Sequence, residues 1–216
     1  MKRLIIYDLD GTLVDTGRDL ANAANQMIKE LCGAPLPEEV IRGFVGQGLH
    51  DLATRCLNTD DPVRIQRGLE IFEAHYAKHL TDHSTLYPCA MEVLEYFKHR
   101  TQAVVTNKPQ PFARNLLEAM GVADYFVDVI AGGSDYPKKP HPAAVHSVMT
   151  RYGIAPEETL LVGDSLIDFE TGRNAGILTV IVMQGFADKE ELRAAVPDVL
   201  VSDLQEFLML VRQRGW

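Results

Sequence analysis

Cysteine is scarce in this chain: Cys32, Cys56 and Cys89 stand far apart, and no two form a CxxC pair. That spacing fits neither a zinc site nor a disulfide framework, and it suggests a reducing compartment. Long apolar runs are missing too. Met1-Lys2-Arg3 leads straight into Leu4-Ile5-Ile6-Tyr7, and acid follows at once. That stretch is too short for a signal peptide and no later run could span a bilayer, so a cytoplasmic location is expected. Basic charge is in deficit as well. Lysine and arginine total 21 against 30 aspartates and glutamates, a net charge of −9. This argues against nucleic acid or an anionic membrane as partner. An anionic substrate would need local positive charge, which a divalent cation and a few placed lysines or arginines would supply. Internal repeats and low-complexity segments are also absent.

What is present suits a folded protein of one large domain or two small ones: 216 residues, 46% hydrophobic and 24% charged. A chain of this size buries roughly 70% of its unfolded surface. Short apolar runs recur at Leu4–Tyr7, Ala103–Val105, Val127–Ala131, Leu160–Val162, Thr179–Val182 and Val199–Val201. Amphipathic stretches separate most of them, as in Val145–Tyr152, Ile167–Ala175 and Leu204–Val211. Strands alternating with helices predict parallel βαβ units, and so an α/β fold with a doubly wound, mostly parallel, Rossmann-like sheet. Gly153 and Gly176 stand where helix C-caps belong, and Pro142 where a first helical turn belongs.

Residues 16–82 break the rhythm and read as helices only: Asp19–Cys32, Pro37–Phe44, Leu49–Leu57 and Pro62–Leu80. A block of this length is too long for an ordinary crossover. It is expected as an inserted all-helical subdomain joined by strands near 15–18 and 82–87, with residues 1–15 and 83–216 forming the core.

In an open parallel sheet the ligand crevice lies at the carboxyl ends of the strands. The polar residues following each apolar run are Asp8 and Asp10, Thr106 and Asn107, Ser134 and Asp135, Asp164 and Ser165. Such a set suits phosphoryl transfer. Phosphate-monoester hydrolysis needs up to ~10²¹-fold acceleration, and a carboxylate attacking phosphorus splits that step in two. Carboxylate and phosphate repel, so a hard cation such as Mg2+ between them is required, and Asp8 and Asp164 can hold it. Asp10 would protonate the leaving oxygen and then deprotonate the attacking water. Thr106 and the N–H after it offer donors to the phosphoryl oxygens, and Lys139, fixed by Pro140 and Pro142, offers a compact positive charge.

The set resembles the haloacid dehalogenase superfamily, with all four family motifs in order across nearly the whole chain. They are Asp8-Leu9-Asp10-Gly11-Thr12-Leu13, Val104-Val105-Thr106-Asn107, Lys139-Pro140-His141-Pro142 and Gly163-Asp164-Ser165-Leu166-Ile167-Asp168. The resemblance implies Asp8 as nucleophile and metal ligand, and Asp10 as acid/base with its carbonyl on the metal. It implies Thr106 and Lys139 on the phosphoryl group, Asp164 as a further metal ligand, and Asp168 one contact removed from the metal. Residues 16–82 would be the helical cap. Within the superfamily, Thr106-Asn107-Lys108-Pro109, Lys138-Lys139-Pro140-His141-Pro142 and Phe44-Val45-Gly46-Gln47-Gly48-Leu49 are similar to phosphoglycolate phosphatases. Gly46, Gln47 and Gly48 would read the leaving group. Cys89 departs from that pattern, which has glycine there, so the turn re-entering the core is expected to differ.

Several features also have plainer readings. Asp8-Leu9-Asp10-Gly11 could be a strand-end turn, Thr106-Asn107 a helix cap, and Asp168 an acid favoured by a helix N-terminus. The Lys-Pro-x-Pro frame picks Lys139, but the sequence leaves an exchange with Lys138 open. Ser165 reads as a helix cap, having no histidine partner. His75, His79 and His83 recur every fourth residue; a solvated helix face is the preferred reading over a metal site. Arg55 could meet a substrate carboxylate bidentately or be surface charge.

The expectation is therefore Mg2+-dependent hydrolysis of a small phosphorylated metabolite, with 2-phosphoglycolate leading, through an aspartyl-phosphate on Asp8. A phosphosugar mutase is the first rival. A dehalogenase would leave Asp10 without a duty. A phosphate-binding regulator without turnover is disfavoured because every catalytic part is present.

Overall fold

The computed structural model describes residues 1–216. Six parallel strands form one sheet: β1 (Leu4–Tyr7), β4 (Thr101–Pro109), β5 (Asp128–Gly132), β6 (Thr159–Gly163), β7 (Leu178–Val182) and β8 (Val199–Val201), ordered β5-β4-β1-β6-β7-β8. Helices cover both faces, so the central strands read as continuous apolar runs instead of alternating ones. In β1 all four residues are fully buried; Ile5 and Tyr7 point into the larger core and Leu4 and Ile6 into the smaller.

Strands of this sheet were legible to within one or two residues, with one exception. β4 does not stop at Val105 but runs to Pro109. Helix α6 (Gln110–Ala119) starts only then, with Pro109 at its N-cap position. Thr106 and Asn107 therefore do not cap a helix. Gly153 and Gly176 end α7 (Ala143–Tyr152) and α8 (Leu166–Ala175) in the left-handed conformation expected of C-cap glycines. No helix is long and apolar enough to cross a membrane.

The chain leaves the sheet after β1 through β2 (Val14–Asp15) and returns through β3 (Thr85–Leu86), and the two pair antiparallel. The outgoing strand thus ends before residue 16, because Thr16 already caps α1 (Gly17–Glu30). Between them lie α1, α2 (Glu38–Arg42), α3 (Leu49–Leu57) and α4 (Pro62–Tyr76). α1 buries Leu20, Ala23, Ala24, Met27 and Ile28 at helical spacing and packs on α2 and α4. α4 stops at Tyr76, short of Leu80: Lys78 and His79 switch to bonds three residues back. The return is then clamped by the buried Asp19, whose Oδ2 accepts from the N–H of His83 (3.0 Å), the N–H of Ser84 (2.8 Å) and the hydroxyl of Ser84 (2.7 Å).

Cys89 adopts φ 63°, ψ 6° ahead of α5 (Ala90–Tyr96). The turn keeps the left-handed geometry that glycine favours, and cysteine is held in it.

Candidate active site

The strand order reverses between β1 and β6, because the chain passes from β1 to β4 and β5 on one side and then crosses to β6 on the other. Crevices in open α/β sheets form at such a switch point. Asp8 follows β1, Asp164 follows β6, and the N–H of Asp8 donates to the Val162 carbonyl at 2.9 Å. The two carboxylates therefore reach the same opening.

Gly11 makes the approach possible. Its φ is +84°, and a Cβ built there would fall 2.3 Å from Asp164 Oδ2. Gly185, after β7, is equally constrained, with 2.0 Å to the same oxygen. Asp164 is seated between them: Thr12 Oγ1 donates to Oδ1 at 2.9 Å, and the N–H of Phe186 to Oδ2 at 2.9 Å.

Lys139, and not Lys138, enters this site. Its Nζ lies 2.7 Å from Asp168 Oδ1 and 2.9 Å from Asp8 Oδ1. Asp8 Oδ1 is buried, and the Lys139 ammonium is its ion-pair partner. Lys138 is exposed and donates to the Gln47 carbonyl at 2.8 Å. Asp168 is fully buried; its Oδ2 accepts from the backbone N–H and hydroxyl of Ser165, closing a capping box on α8. The helix-acid reading of Asp168 and the cap reading of Ser165 are thus both met, and Asp168 also grips Lys139.

Asp8, Asp164 and Asp168 bring ligand oxygens within 4.8 Å of one another, the single such group in the protein. Three buried carboxylates face one ammonium. Burial pushes Asp8 up to about 6, with Lys139 opposing and Asp168 adding to the shift. Burial, then repulsion from Asp168 and Asp8, raises Asp164 well above the usual carboxylate range. For Lys139 burial disfavours charge, but Asp168 and Asp8 outweigh it and the net shift is upward. Excess buried negative charge and an all-oxygen donor set within 4.8 Å fit a hard divalent cation.

A cavity of about 580 Å³ opens over Asp8, Asp10 and Asp164, walled by the helical block. Thr106, Asn107, Gly46, Gln47, Gly48 and Arg55 all line it, while Ser134 and Asp135 do not. Thr106 Oγ1 accepts from the Lys108 N–H at 3.3 Å, which leaves its own hydrogen to donate. The Asn107 side chain is already engaged. Its Nδ2 donates to the carbonyls of Gly46 (2.9 Å) and Lys139 (3.1 Å), and its Oδ1 accepts from the Lys139 N–H at 2.8 Å. The phosphate contact expected of Asn107, through its backbone N–H, does not involve these side-chain bonds. The side chain joins the helical block to the lysine loop. Arg55 is half exposed, pairs with Asp51 at 3.1 Å and stacks over Phe44.

Sequence reasoning passed over Lys108, whose side chain is 2% exposed. Its Nζ reaches Asp10 Oδ1 at 2.9 Å and the Tyr76 hydroxyl at 2.7 Å. Burial works against its charge, but Asp10 and Tyr76 more than offset that and hold it protonated. No local signal marked it, because the apolar run ends at Val105 and only the structure carries the strand on to Pro109. The histidine row makes no metal cluster. His75 and His79 stack at 4.4 Å, His79 Nδ1 pairs with Asp82 at 2.8 Å, and His83 lies beyond the helix.

A Rossmann-like sheet with acid-bearing strand ends, a buried lysine and a helical insertion after β1 defines a class of hydrolases. The family model for haloacid dehalogenase-like hydrolases matches residues 5–182, and the chain belongs to that family. It is similar to proteins named phosphoglycolate phosphatase in Vibrio parahaemolyticus serotype O3:K6 (37% identical) and Nitrosospira multiformis (36%). The alignments cover 97% and 98% of this chain and 96% of each relative. A crystal structure of a predicted phosphoglycolate phosphatase from Haemophilus somnus 129pt superposes with a TM-score of 0.91 at 30% identity, covering 97% of this chain and 98% of that one.

Proposed function

We propose that this enzyme hydrolyses a small phosphate monoester, with 2-phosphoglycolate as the leading substrate, through an aspartyl-phosphate on Asp8. The observation that carries the reading is the Asp8 carboxylate: it lines the cavity together with Asp10 and Asp164, has Lys139 2.9 Å behind its Oδ1, and stands within ligand reach of Asp164 and Asp168. A carboxylate so placed can turn its other oxygen on phosphorus.

Asp8, Asp164 and the Asp10 carbonyl would hold Mg2+, which offsets the repulsion between carboxylate and phosphate. Thr106 donates its hydroxyl hydrogen to a phosphoryl oxygen. Lys139, 2.9 Å from Asp8 Oδ1, sets its positive charge against the phosphoryl group that Asp8 carries. Asp168 keeps Lys139 there. Asp10 gives a proton to the leaving oxygen and then takes one from the water that frees Asp8.

Residues 16–82 act as a cap that excludes bulk water and reads the leaving group through Gly46, Gln47, Gly48 and Arg55. The choice of 2-phosphoglycolate is supported by the names of relatives at 36–37% identity. Arg55, half exposed in the cavity wall, is the cation that could meet a leaving-group carboxylate. A cytoplasmic site of action belongs to the same proposal and is supported by three unpaired cysteines.

A phosphate-release screen over many monoesters with Mg2+ tests the reading. Turnover should be highest for a small carboxylated ester and nearly abolished in Asp8→Asn. Absence of phosphate release from every ester would overturn it, as would return of the phosphoryl group to a sugar, the mutase outcome.

A further inference from the structure

Asp10 is not free at the cavity wall. Thr16 Oγ1 donates to its Oδ1 at 2.6 Å, and Lys108 Nζ to the same oxygen at 2.9 Å. Oδ2 has only the longer contact of 3.3 Å from Lys108. The third hydrogen of Lys108 goes to the Tyr76 hydroxyl at 2.7 Å. All three donors of the ammonium are thus directed, and the side chain has no room to wander.

Tyr76 is itself immobilised. It is the last residue of α4 and 1% exposed, packed edge-on against Phe112 of α6 (5.1 Å) and tilted against Phe72 (5.4 Å). A cap side chain therefore anchors a core lysine, and that lysine anchors the carboxyl of Asp10. A buried ammonium must satisfy three N–H donors, and here two of its contacts go to the carboxylate of Asp10.

We infer that Lys108 is a positioning residue for Asp10, held by Tyr76. Together with Thr16 it fixes Oδ1 and leaves Oδ2 as the oxygen that exchanges protons. This rests on the phosphatase reading above. As the ester P–O bond breaks, its electron pair stays on the leaving oxygen, which takes the proton from Oδ2. In the second half-reaction Oδ2 takes one proton from water while the water oxygen bonds phosphorus and Asp8 is released. Both transfers require Oδ2 to meet its partner at hydrogen-bond distance. Lys108 makes that geometry ready before the substrate arrives.

The test is a leaving-group series with Mg2+, from p-nitrophenyl phosphate to alkyl phosphates, run on wild type, Lys108→Met and Tyr76→Phe. Nitrophenolate departs with little protonation, whereas an alkoxide needs the acid. Lys108→Met should lower kcat/KM on alkyl phosphates by on the order of 100-fold, and on p-nitrophenyl phosphate by about tenfold or less. Log kcat/KM should then fall more steeply with leaving-group basicity. The loss should lie in kcat, with KM little changed. Tyr76→Phe should steepen the same slope by a smaller factor, and it decides the matter if Lys108→Met fails to fold. Equal losses for all leaving groups, or a loss confined to KM, overturn the role of Lys108 while leaving the phosphatase reading intact. A wild type inactive on every ester overturns both.

Discussion

Lys139 and Asp168 form a buried ion pair of 2.7 Å, with side chains 3% and 0% exposed. The pair sits directly behind the carboxylate proposed as nucleophile. Asp168→Asn keeps the shape but removes the charge that orients the ammonium. Its kcat should fall by roughly 10²–10³-fold, the range seen when one group stabilising developing charge is removed. Lys139→Met strands two buried carboxylates, so stability should drop as well, by about 3–5 kcal/mol. Steady-state kinetics and thermal melts separate the two effects. A fully active Asp168→Asn would show that the pair is structural only.

The pH dependence of the metal-free protein follows from Asp8. Its ordinary value near 3.8 is raised to about 6 by burial. A carboxyl raised on folding contributes stability below its unfolded value and loses it as pH rises through the folded value. Metal-free protein should therefore lose stability from this group between about pH 4 and pH 6, by about 3 kcal/mol at most. Mg2+ should restore it, so the shift in melting temperature on adding Mg2+ should grow across that window. A Mg2+ effect independent of pH from 4 to 8 would count against Asp8 as a ligand.

Gly185 tests the metal cradle without touching a ligand. A Cβ there would stand 2.0 Å from Asp164 Oδ2, so Gly185→Ala must displace that carboxylate. The Mg2+ concentration for half-maximal activity should rise by at least about tenfold, the effect expected when a ligand's support is disturbed. An unchanged Mg2+ titration would argue that Asp164 does not bind the ion.

Cys89 holds a left-handed conformation at φ 63° ahead of α5. That conformation costs a non-glycine residue roughly 1–2 kcal/mol, part of which glycine's greater unfolded freedom returns. Cys89→Gly should therefore stabilise the protein by about 0.5–1 kcal/mol in urea unfolding, with activity unchanged. Destabilisation would mean that the packing of the Cys89 side chain outweighs its backbone strain.

Much of the site could be read along the chain because an open parallel sheet puts its ligands at strand ends. Asp8, Thr106 and Asp164 each stand within a few residues of an apolar run, and Pro140 and Pro142 frame Lys139. Contacts between distant segments were not legible. Lys108 meets Asp10 across 98 positions and Tyr76 across 32. Asn107 was assigned to phosphate through its backbone N–H; that its side chain would also tie Gly46 to Lys139 had no local signal, because both partners are distant in sequence.

The opening sequence Leu4–Tyr7, Asp8, Asp10 and Gly11 determined by itself that a buried strand would end in two acids at a sharp turn. Period and residue type decide that locally. Only the tertiary structure decided which lysine each acid meets. Asp8 faces Lys139 at 2.9 Å, while Asp10 is bonded to Lys108 and Thr16. Those partners arrive from β4, from the loop after β5 and from the start of the helical block, and their distances depend on how whole elements pack.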